Sequence, residues 1–211
     1  MPKISIIVPV YNSEQEIKDC LDSLVEQTEK DLEIIVIDDK STDHSLEIIN
    51  TYAKKYTNIK VYKNEVNKGV GDSRNLGIAL ATGEYITFVD SDDYVNTTMY
   101  EELYEVAKMY NKPELITTGI VFVKGNEYRT KDLSYLGKSS PKLIHPIDNE
   151  EAIYAESPTA CNKLFRKDTV KDYKFLEDCL WEDIAFSFTR FLEADTIVEV
   201  PTPNYFYRRD I

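Results

Sequence analysis

The chain has 211 residues, 42% of them hydrophobic and 30% charged, which is enough for one globular α/β domain with or without a smaller lobe. Its net charge of −13 argues against nucleic acid as a partner, because binding to a phosphate backbone needs a basic surface. The three cysteines show neither metal-ligand nor disulfide spacing, and no apolar run reaches the length of a membrane span or signal peptide, so we expect a cytoplasmic protein, at most peripheral at the inner face of the membrane.

Apolar segments rich in β-branched residues alternate with amphipathic helical patterns over the first 123 residues. Strands are predicted at Ile4 to Val10, Leu32 to Ile37, Ile59 to Tyr62, Tyr85 to Val89 and Leu115 to Val123. Among the helices between them, one has apolar residues at positions 17, 20, 21, 24 and 25, and another is expected to end with Gly83 as its C′ residue. The alternation predicts βαβ units and an α/β fold with a doubly wound, mostly parallel sheet.

Beyond residue 123 the pattern is less regular. Residues 124–146 are predicted to form a variable loop or hairpin, and a strand is predicted near Asn162 to Phe165. A helix is predicted from about Asp183 to Glu193, with a buried face made of Ile184, Phe188, Phe191 and Leu192.

Polar clusters follow three of the predicted strands. Tyr11-Asn12 follow the first strand, Asp38-Asp39 the second, and Asp90 to Asp93 the fourth. In open parallel sheets, ligands bind outside the carboxyl ends of the strands. We therefore expect the three clusters to share one rim of the sheet and to form a ligand site there.

Three carboxylates lie within the segment Asp90-Ser91-Asp92-Asp93. Like charges this close disfavour one another's ionisation unless a cation lies among them, and oxygen ligands favour Mg²⁺ or Mn²⁺. Such a cation would also allow this acidic protein to hold an anionic nucleotide diphosphate. The alternative is a solvated acidic turn in which Asp93 caps the next helix.

Other patterns have both a ligand-binding and a structural interpretation. Asp38-Asp39 could accept hydrogen bonds from a base or ribose, or could form a solvated turn. Tyr11, which follows the rigid Pro9, could stack on a base or could cover the sheet edge. The segment from Asn67 to Arg74 contains two glycines and suits a phosphate or a plain turn, but it is neither a dinucleotide fingerprint nor a P-loop.

Glu182 and Asp183 open the last predicted helix. The helix dipole stabilises a carboxylate at that position, which is a sufficient structural explanation. The functional interpretation is a general base that takes a proton from a hydroxyl group.

Together these segments resemble the family 2 glycosyltransferases with the GT-A fold. The matching segments are Ser5 to Asn12 (SIIVPVYN), Ile37 to Asp43 (IDDKSTD), Asn67 to Gly77 (NKGVGDSRNLG), Gly83 to Asp93 (GEYITFVDSDD), Asn162 to Phe165 (NKLF), Glu182-Asp183 and Tyr207 to Arg209 (YRR). Their order and spacing fit over essentially the whole chain. Lys40 departs from the pattern, because glycine is common at that position.

The resemblance implies a role for each matching residue. Those that would hold the nucleotide are Pro9, Tyr11, Asp38, Asp39, Asn67 and Arg74. Asp90, Ser91 and Asp92 match the DXD motif, in which Asp90 and Asp92 would bind Mn²⁺ or Mg²⁺. Asp183 matches the general base, and Glu182 would lie close to the acceptor. Arg208 and Arg209 would belong to a segment that closes over the diphosphate.

The implied architecture is one domain over residues 1–211, with a nucleotide-binding half at about 1–122 and an acceptor-side half at about 123–211, lacking C-terminal elements of a longer chain. The implied reaction is an inverting transfer of a sugar from a nucleotide diphosphate sugar, with a uridine diphosphate sugar as the first expectation. The acceptor would be a hydroxyl of a saccharide or lipid-linked molecule in cell-surface polysaccharide synthesis.

Three alternatives remain open on the sequence. A nucleotidyltransferase would carry a glycine-rich basic loop after the first strand, where this chain has Tyr11 to Glu14. A phosphate-sensing receiver module would use Asp38-Asp39 but leaves Asp90 to Asp93 and Glu182-Asp183 without a role. A binding-only relative that has lost activity is the third.

Overall fold

The computed structural model describes residues 1–131, 140–145, 157–177 and 179–209. The described strands are β1 Ile4–Val10, β2 Leu32–Asp38, β3 Ile59–Lys63, β4 Tyr85–Phe88, β5 Tyr94–Val95, β6 Leu115–Lys124, β7 Glu127–Lys131, β8 Lys142–Ile144, β9 Lys163–Arg166 and β10 Ile197–Arg208. The described helices are α1 Ile17–Val25, α2 Ser45–Lys55, α3 Val70–Leu80, α4 Met99–Met109, α5 Lys167–Val170 and α6 Glu182–Glu193. Within this part of the chain, no helix has the length and apolar character needed to cross a membrane.

The first half of the sheet is parallel, as predicted. Its order is β3-β2-β1-β4, and β1 pairs in parallel with both β2 and β4. Every residue of β1 and β2 is buried, because helices cover both faces of such a sheet. The parallel register brings the carboxyl ends of β1, β2 and β4 to one edge.

The second half of the sheet is mixed. The order continues β4-β9-β6-β10-β5, and β9 runs antiparallel to both β4 and β6. β10 is parallel to β6, while β5 and β8 pair with β10 in the antiparallel sense. The predicted hairpin is present, since β7 folds back on β6 through a turn in which Gly125 has φ of 56°. The rest of the 124–146 segment lies partly outside the described residues.

The face of α6 differs from the prediction. Ile184 and Leu192 are 38% and 48% exposed, whereas Phe186 and Phe191 are buried. The Phe186 ring stacks on that of Phe175 with the ring centroids 4.0 Å apart. The prediction is therefore confirmed for Phe191 and wrong for Ile184 and Leu192, because an aromatic cluster and a buried carboxylate at Glu182 set the rotation of this helix.

Gly83 also has a different role from the predicted one. Helix α3 ends at Leu80 with Ala81 extended, so Gly83 lies beyond the cap. A Cβ atom on Gly83 would lie 2.6 Å from the backbone nitrogen of Ser5. Glycine is required there because the chain passes close to the start of β1.

Candidate active site at the carboxyl ends of the parallel strands

A cavity of about 790 Å³ opens at the carboxyl ends of β1, β2 and β4. Most of the residues that the sequence singled out line it, namely Pro9, Tyr11, Asp39, Asn67, Arg74, Asp90, Ser91 and Asp92. The three polar clusters therefore share one rim, as strand order predicted. Asp38, Glu182, Asp183, Arg208 and Arg209 do not line this cavity.

Hydrogen bonds join the loop after β1 to the loop after β2. The Asn12 side chain accepts from the backbone N–H of Thr42 at 2.8 Å, and the backbone N–H of Ser13 donates to the Ser45 hydroxyl at 2.8 Å. Asn12 and Lys40 both have left-handed backbones, with φ of 51° and 65°. The Lys40 angle explains why glycine suits that position, and here the surrounding hydrogen bonds hold a lysine in it.

Asp39 organises the glycine loop from the floor of the cavity. Its buried carboxylate accepts hydrogen bonds from the Asn64 side chain at 2.7 Å and from the backbone N–H groups of Lys68 and Gly69. Gly69 has φ of 87°, a conformation that other residues rarely adopt. These contacts use most of the accepting capacity of the carboxylate, which is about four lone pairs.

Asp38 points away from the cavity. Its side chain is fully buried, and one of its oxygens accepts a long 3.4 Å hydrogen bond from the backbone of Ser41. Its other oxygen has no hydrogen-bond partner among the described residues. In this arrangement Asp38 has no route to a ligand in the cavity.

Arg74 connects the cavity to α6. Its guanidinium is almost fully buried and donates to Asp90 Oδ1 at 2.6 Å and to Glu182 Oε1. The segment that precedes α6 also needs glycine at position 71, because a Cβ atom on Gly71 would lie 2.6 Å from the carbonyl oxygen of Leu176. Two carboxylates around one buried cation form a charge-assisted network that fixes the geometry of all three side chains.

A buried thiol contacts the second oxygen of Asp90. Cys161 Sγ donates to Asp90 Oδ2 at 3.3 Å. Burial, and then the charge of Asp90, raise the pKa of the Cys161 thiol, so it remains protonated and can donate. Both oxygens of Asp90 are thus engaged by Arg74 and Cys161.

The residues of the cavity fit a divalent cation for which the protein would supply only some of the ligands. In the described ranges, no group of three or more His, Cys, Asp or Glu side chains is arranged to hold a metal ion. Mg²⁺ and Mn²⁺ are commonly bound by one or two carboxylates together with substrate phosphates. Asp92 is exposed on the cavity wall, and Asp90 lies beside it, so this donor set suits a cation shared with a diphosphate.

Asp183 lies in the first turn of α6, next to the buried Glu182. Burial raises the pKa of the Asp183 carboxyl; the charge of Arg74 opposes this effect, and the charges of Glu182 and Asp90 add to it. A carboxylate with a raised pKa is a stronger base. Glu182, in contrast, is turned inward to Arg74 and does not face outward.

Arg208 and Arg209 line a second cavity of about 300 Å³. This cavity shares Asp92 with the larger one, together with Gln15 and Glu16, so the two adjoin. The Arg208 side chain rests against Asp19, with Nη2 2.6 Å from Oδ2. The two arginines therefore stand beside the acidic segment although they are more than 110 residues from it in sequence.

Some residues that shape the site carry no distinct signal in the sequence. Asn64 anchors Asp39, and Cys161 contacts Asp90, but neither belongs to a recognisable pattern. The alternative in which Asp93 caps the next helix from a solvated turn does not hold, because its side chain is fully buried. Burial, and then the charges of Asp90 and Asp92, raise the pKa of Asp93 to about 8.

The fold and the cavity together define an α/β protein with a polar ligand site at the carboxyl edge of a parallel half-sheet. The sequence model of the glycosyl transferase family 2 matches residues 5–174. The chain therefore belongs to glycosyl transferase family 2, and the predicted family is confirmed. Membership removes the receiver and nucleotidyltransferase alternatives.

Two named relatives differ in the molecules on which they act. The poly(ribitol-phosphate) beta-glucosyltransferase of Bacillus spizizenii is 39% identical over 97% of this chain and 32% of its own length. The cholesterol galactosyltransferase of Borreliella burgdorferi is 34% identical over 97% of this chain and 59% of its own length. The chain thus spans about a third to three fifths of these relatives.

A solved structure shares the fold. The Staphylococcus aureus TarS fragment 1–349, in complex with UDP-GlcNAc, matches with a TM-score of 0.87 and 29% identity, over 99% of this chain and 59% of that chain. The predicted GT-A fold is thereby confirmed.

Proposed function

We propose that this chain transfers a sugar, with inversion, from a nucleotide diphosphate sugar to an acceptor hydroxyl. One observation carries the proposal: the cavity lined by Tyr11, Asp39 and Asp92 is joined through Arg74 to the helix turn that holds Asp183. Family membership supports the same reaction class. A binding-only relative would have no use for a base beside this cavity.

The donor is a uridine diphosphate sugar. The TarS fragment, which shares this fold at 29% identity, was solved with UDP-GlcNAc. Tyr11 exposes its ring at the cavity mouth, where a flat base can stack. Asn67 and the loop that Asp39 holds line the same cavity, and Arg74 forms part of its floor. Asp39 acts mainly by shaping this loop, since its oxygens are already engaged.

Asp183 is the general base of the transfer. It takes the proton from the acceptor hydroxyl while that oxygen forms a bond to the anomeric carbon from the face opposite the diphosphate. The bond between the anomeric carbon and the diphosphate oxygen breaks, and its electron pair leaves with the nucleotide diphosphate. Arg208 and Arg209 lie next to Asp92 and offset the charge that grows on this leaving group.

Mn²⁺ or Mg²⁺ would be held by Asp92, with Asp90 beside it, and would supply positive charge to the diphosphate. Asp90 contributes less directly because Arg74 and Cys161 engage its oxygens. Asp92 is therefore the carboxylate whose loss should most reduce the metal dependence of nucleotide-sugar binding.

The acceptor approaches Asp183 from the side of the exposed apolar residues that precede it. Leu180 and Trp181 are 86% and 74% exposed. Trp181 has a left-handed backbone, with φ of 67°, which is rare for a bulky residue and is typical of functional segments. A saccharide or lipid-linked acceptor in cell-surface polysaccharide synthesis suits this surface, and a lipid-linked one would place the protein against the inner face of the membrane.

Thermal unfolding with nucleotide sugars tests the proposal. A ligand present at 100 times its Kd adds about 2.7 kcal/mol to the native state, which corresponds to a rise in Tm of roughly 5–10 °C for a chain of this size. We expect UDP-glucose or UDP-GlcNAc to give such a rise only with Mn²⁺ or Mg²⁺. Sugar transfer to a panel of saccharide acceptors would then be followed by mass spectrometry.

Asp92→Ala should abolish the metal-dependent part of this stabilisation. Asp172→Ala, which removes an exposed carboxylate outside both cavities, is the matched control and should behave as the wild type. Equal stabilisation by UDP-sugars with and without the metal would remove the metal from the proposal. No stabilisation by any nucleotide sugar would refute the donor assignment.

A further inference from the structure

The third carboxylate of the acidic segment faces the protein interior. Asp93 is fully buried, whereas Asp90 and Asp92 line the cavity. Its Oδ2 accepts a hydrogen bond from the Tyr205 hydroxyl at 2.6 Å, and its Oδ1 accepts one from the backbone N–H of Arg208 at 2.7 Å. Both donors belong to β10 and are 112 and 115 residues away in sequence. One side chain therefore joins the acidic segment to the end of β10.

The Tyr205 hydroxyl makes a second contact with the same segment. It accepts a hydrogen bond from the backbone N–H of Asp90 at 3.2 Å while it donates to Asp93. The backbone N–H of Asp93 in turn donates to the carbonyl of Asp90 at 3.0 Å, which closes the turn. Tyr205 is itself fully buried, so this phenol fixes the turn and the strand relative to each other.

The end of β10 is the part of the chain that carries Arg208 and Arg209. Both arginines line the smaller cavity together with Asp92. On one side, β6 pairs with β10 as far as Arg208, and the Arg209 N–H donates to the Val123 carbonyl; on the side of Asp93, β5 pairs with β10 only at Tyr205 and Phe206. On that side, the hydrogen bond from the Arg208 N–H to Asp93 holds β10 at the first of the two arginines.

We propose that Asp93 and Tyr205 are positioning residues, which hold Arg208 and Arg209 at the place where the diphosphate leaves. The inference rests on the proposed function. Burying a carboxylate is costly unless donors compensate it, and an apolar pair could stabilise this interior equally well. The two donors that Asp93 receives instead both come from the strand that delivers the arginines.

Four variants test the inference through the affinity for UDP, measured by calorimetry with Mn²⁺. Asp93→Ala removes both contacts to β10 and should weaken UDP binding about tenfold. Asp93→Asn keeps an acceptor for the Arg208 N–H and a polar partner for Tyr205, so it should restore most of the affinity. Tyr205→Phe removes only the hydroxyl and should weaken binding about threefold. Tyr85→Phe is the matched control, since that buried hydroxyl donates to Pro113 at the other end of the sheet.

A double-mutant cycle separates positioning from simple stabilisation. If Asp93 acts through Arg208, the pair Asp93→Ala and Arg208→Ala should weaken UDP binding no more than the worse single variant. Additive losses would overturn the inference. The Arg208 amide should also exchange with deuterium at least tenfold faster in Asp93→Ala, while the amides of β1 keep their rates.

The remaining outcomes are distinguishable. A wild-type protein that binds no UDP would refute the proposed function and this inference together. UDP binding that is present in the wild type and unchanged in Asp93→Ala would refute the inference alone. If Asp93→Ala does not fold, the Tyr205→Phe variant tests the inference. A UDP affinity of Tyr205→Phe equal to that of the control Tyr85→Phe would then refute it.

Discussion

In the first half of the sheet, from β3 to β4, the side chains that line the cavity follow the ends of neighbouring parallel strands. The hydrogen-bond register places Tyr11, Asp39 and Asp90 at one edge because β1 lies between β2 and β4. In the second half, β9 runs antiparallel and interrupts this arrangement, while β6 and β10 beyond it are again parallel to each other. There, polar contacts across the sequence bring the functional residues to the cavity: Arg74 contacts Glu182, and Asp93 contacts Arg208.

Single substitutions should therefore act differently in the two halves. Backbone pairing over a whole strand tolerates the loss of one side chain, so the first half of the sheet should keep its geometry in most variants. A side-chain contact between distant segments is lost when either partner is changed. Variants in the second half should therefore reduce turnover without removing the nucleotide cavity.

The largest effect is expected for Asp183→Asn. The amide keeps the shape of the side chain but cannot take a proton, so kcat should fall about 10³-fold, within the usual range for a general base. The affinity for UDP should change less than twofold because the cavity is formed by the other half. Steady-state transfer and calorimetry measure the two quantities.

Asp172→Asn is the control for this substitution, since it changes an exposed aspartate in the loop before α6. Its kcat should equal that of the wild type. Wild-type turnover in Asp183→Asn would remove this residue from the mechanism, and a parallel loss of UDP affinity would contradict the division between the two halves.

The same division explains how far the sequence predicts the molecule. Strands β1, β2 and β4 are continuous apolar runs with polar residues directly after them, so their shared edge follows from parallel topology. Strand β9 lies antiparallel between β4 and β6, which are distant from it in sequence. The local sequence pattern does not specify these pairings. The sequence thus predicts the cavity at the ends of β1, β2 and β4 better than it predicts the second half of the sheet.

Helix α6 shows the physical reason for the errors. Its apolar spacing favours an inward face that includes Ile184, yet Glu182 is buried in its place. The contact with Arg74 outweighs the local periodicity, because a buried guanidinium needs carboxylates around it. The burial of Asp93 is not predictable from local pattern for a similar reason, since the donors to its side chain lie on β10.

A smaller effect is expected for Glu182→Gln, which tests how the two halves are coupled. Arg74 would keep Asp90 but lose the charge on α6, so we expect kcat to fall about tenfold, equivalent to roughly 1.4 kcal/mol at the transition state. If Glu182 positions Asp183, transfer and the slow hydrolysis of the donor by water should fall together. The KM for the acceptor should stay within twofold.

A different result would support the role that the family resemblance implied for Glu182. A residue that touches the acceptor should raise the acceptor KM and leave donor hydrolysis unchanged. Glu177→Gln, an exposed glutamate before the same helix, is the matched control and should leave both rates unchanged.

The smallest effect on transfer is expected at the amino ends of the strands, where Glu33→Gln should change stability alone. Burial of Glu33 opposes its ionisation, but hydrogen bonds from Lys60, Ser5 and Thr82 outweigh this and lower its pKa to about 2. A carboxyl whose pKa is depressed stabilises the native state fully above its ordinary pKa of about 4.5 and loses that contribution as the pH falls towards 2.

We therefore expect Glu33→Gln to lower the free energy of unfolding by about 2 kcal/mol at pH 7, in line with hydrogen bonds to a charged group. Urea unfolding should show the gap from the wild type narrowing between pH 4.5 and pH 2, because only the wild type loses a charge there. Transfer at pH 7 should be unchanged, since this residue lies at the edge of the sheet opposite the cavity. A constant difference in unfolding free energy at all pH values would mean that the shape of Glu33 matters and its charge does not. A loss of turnover would show that the first half of the sheet is less rigid than its hydrogen-bond register implies.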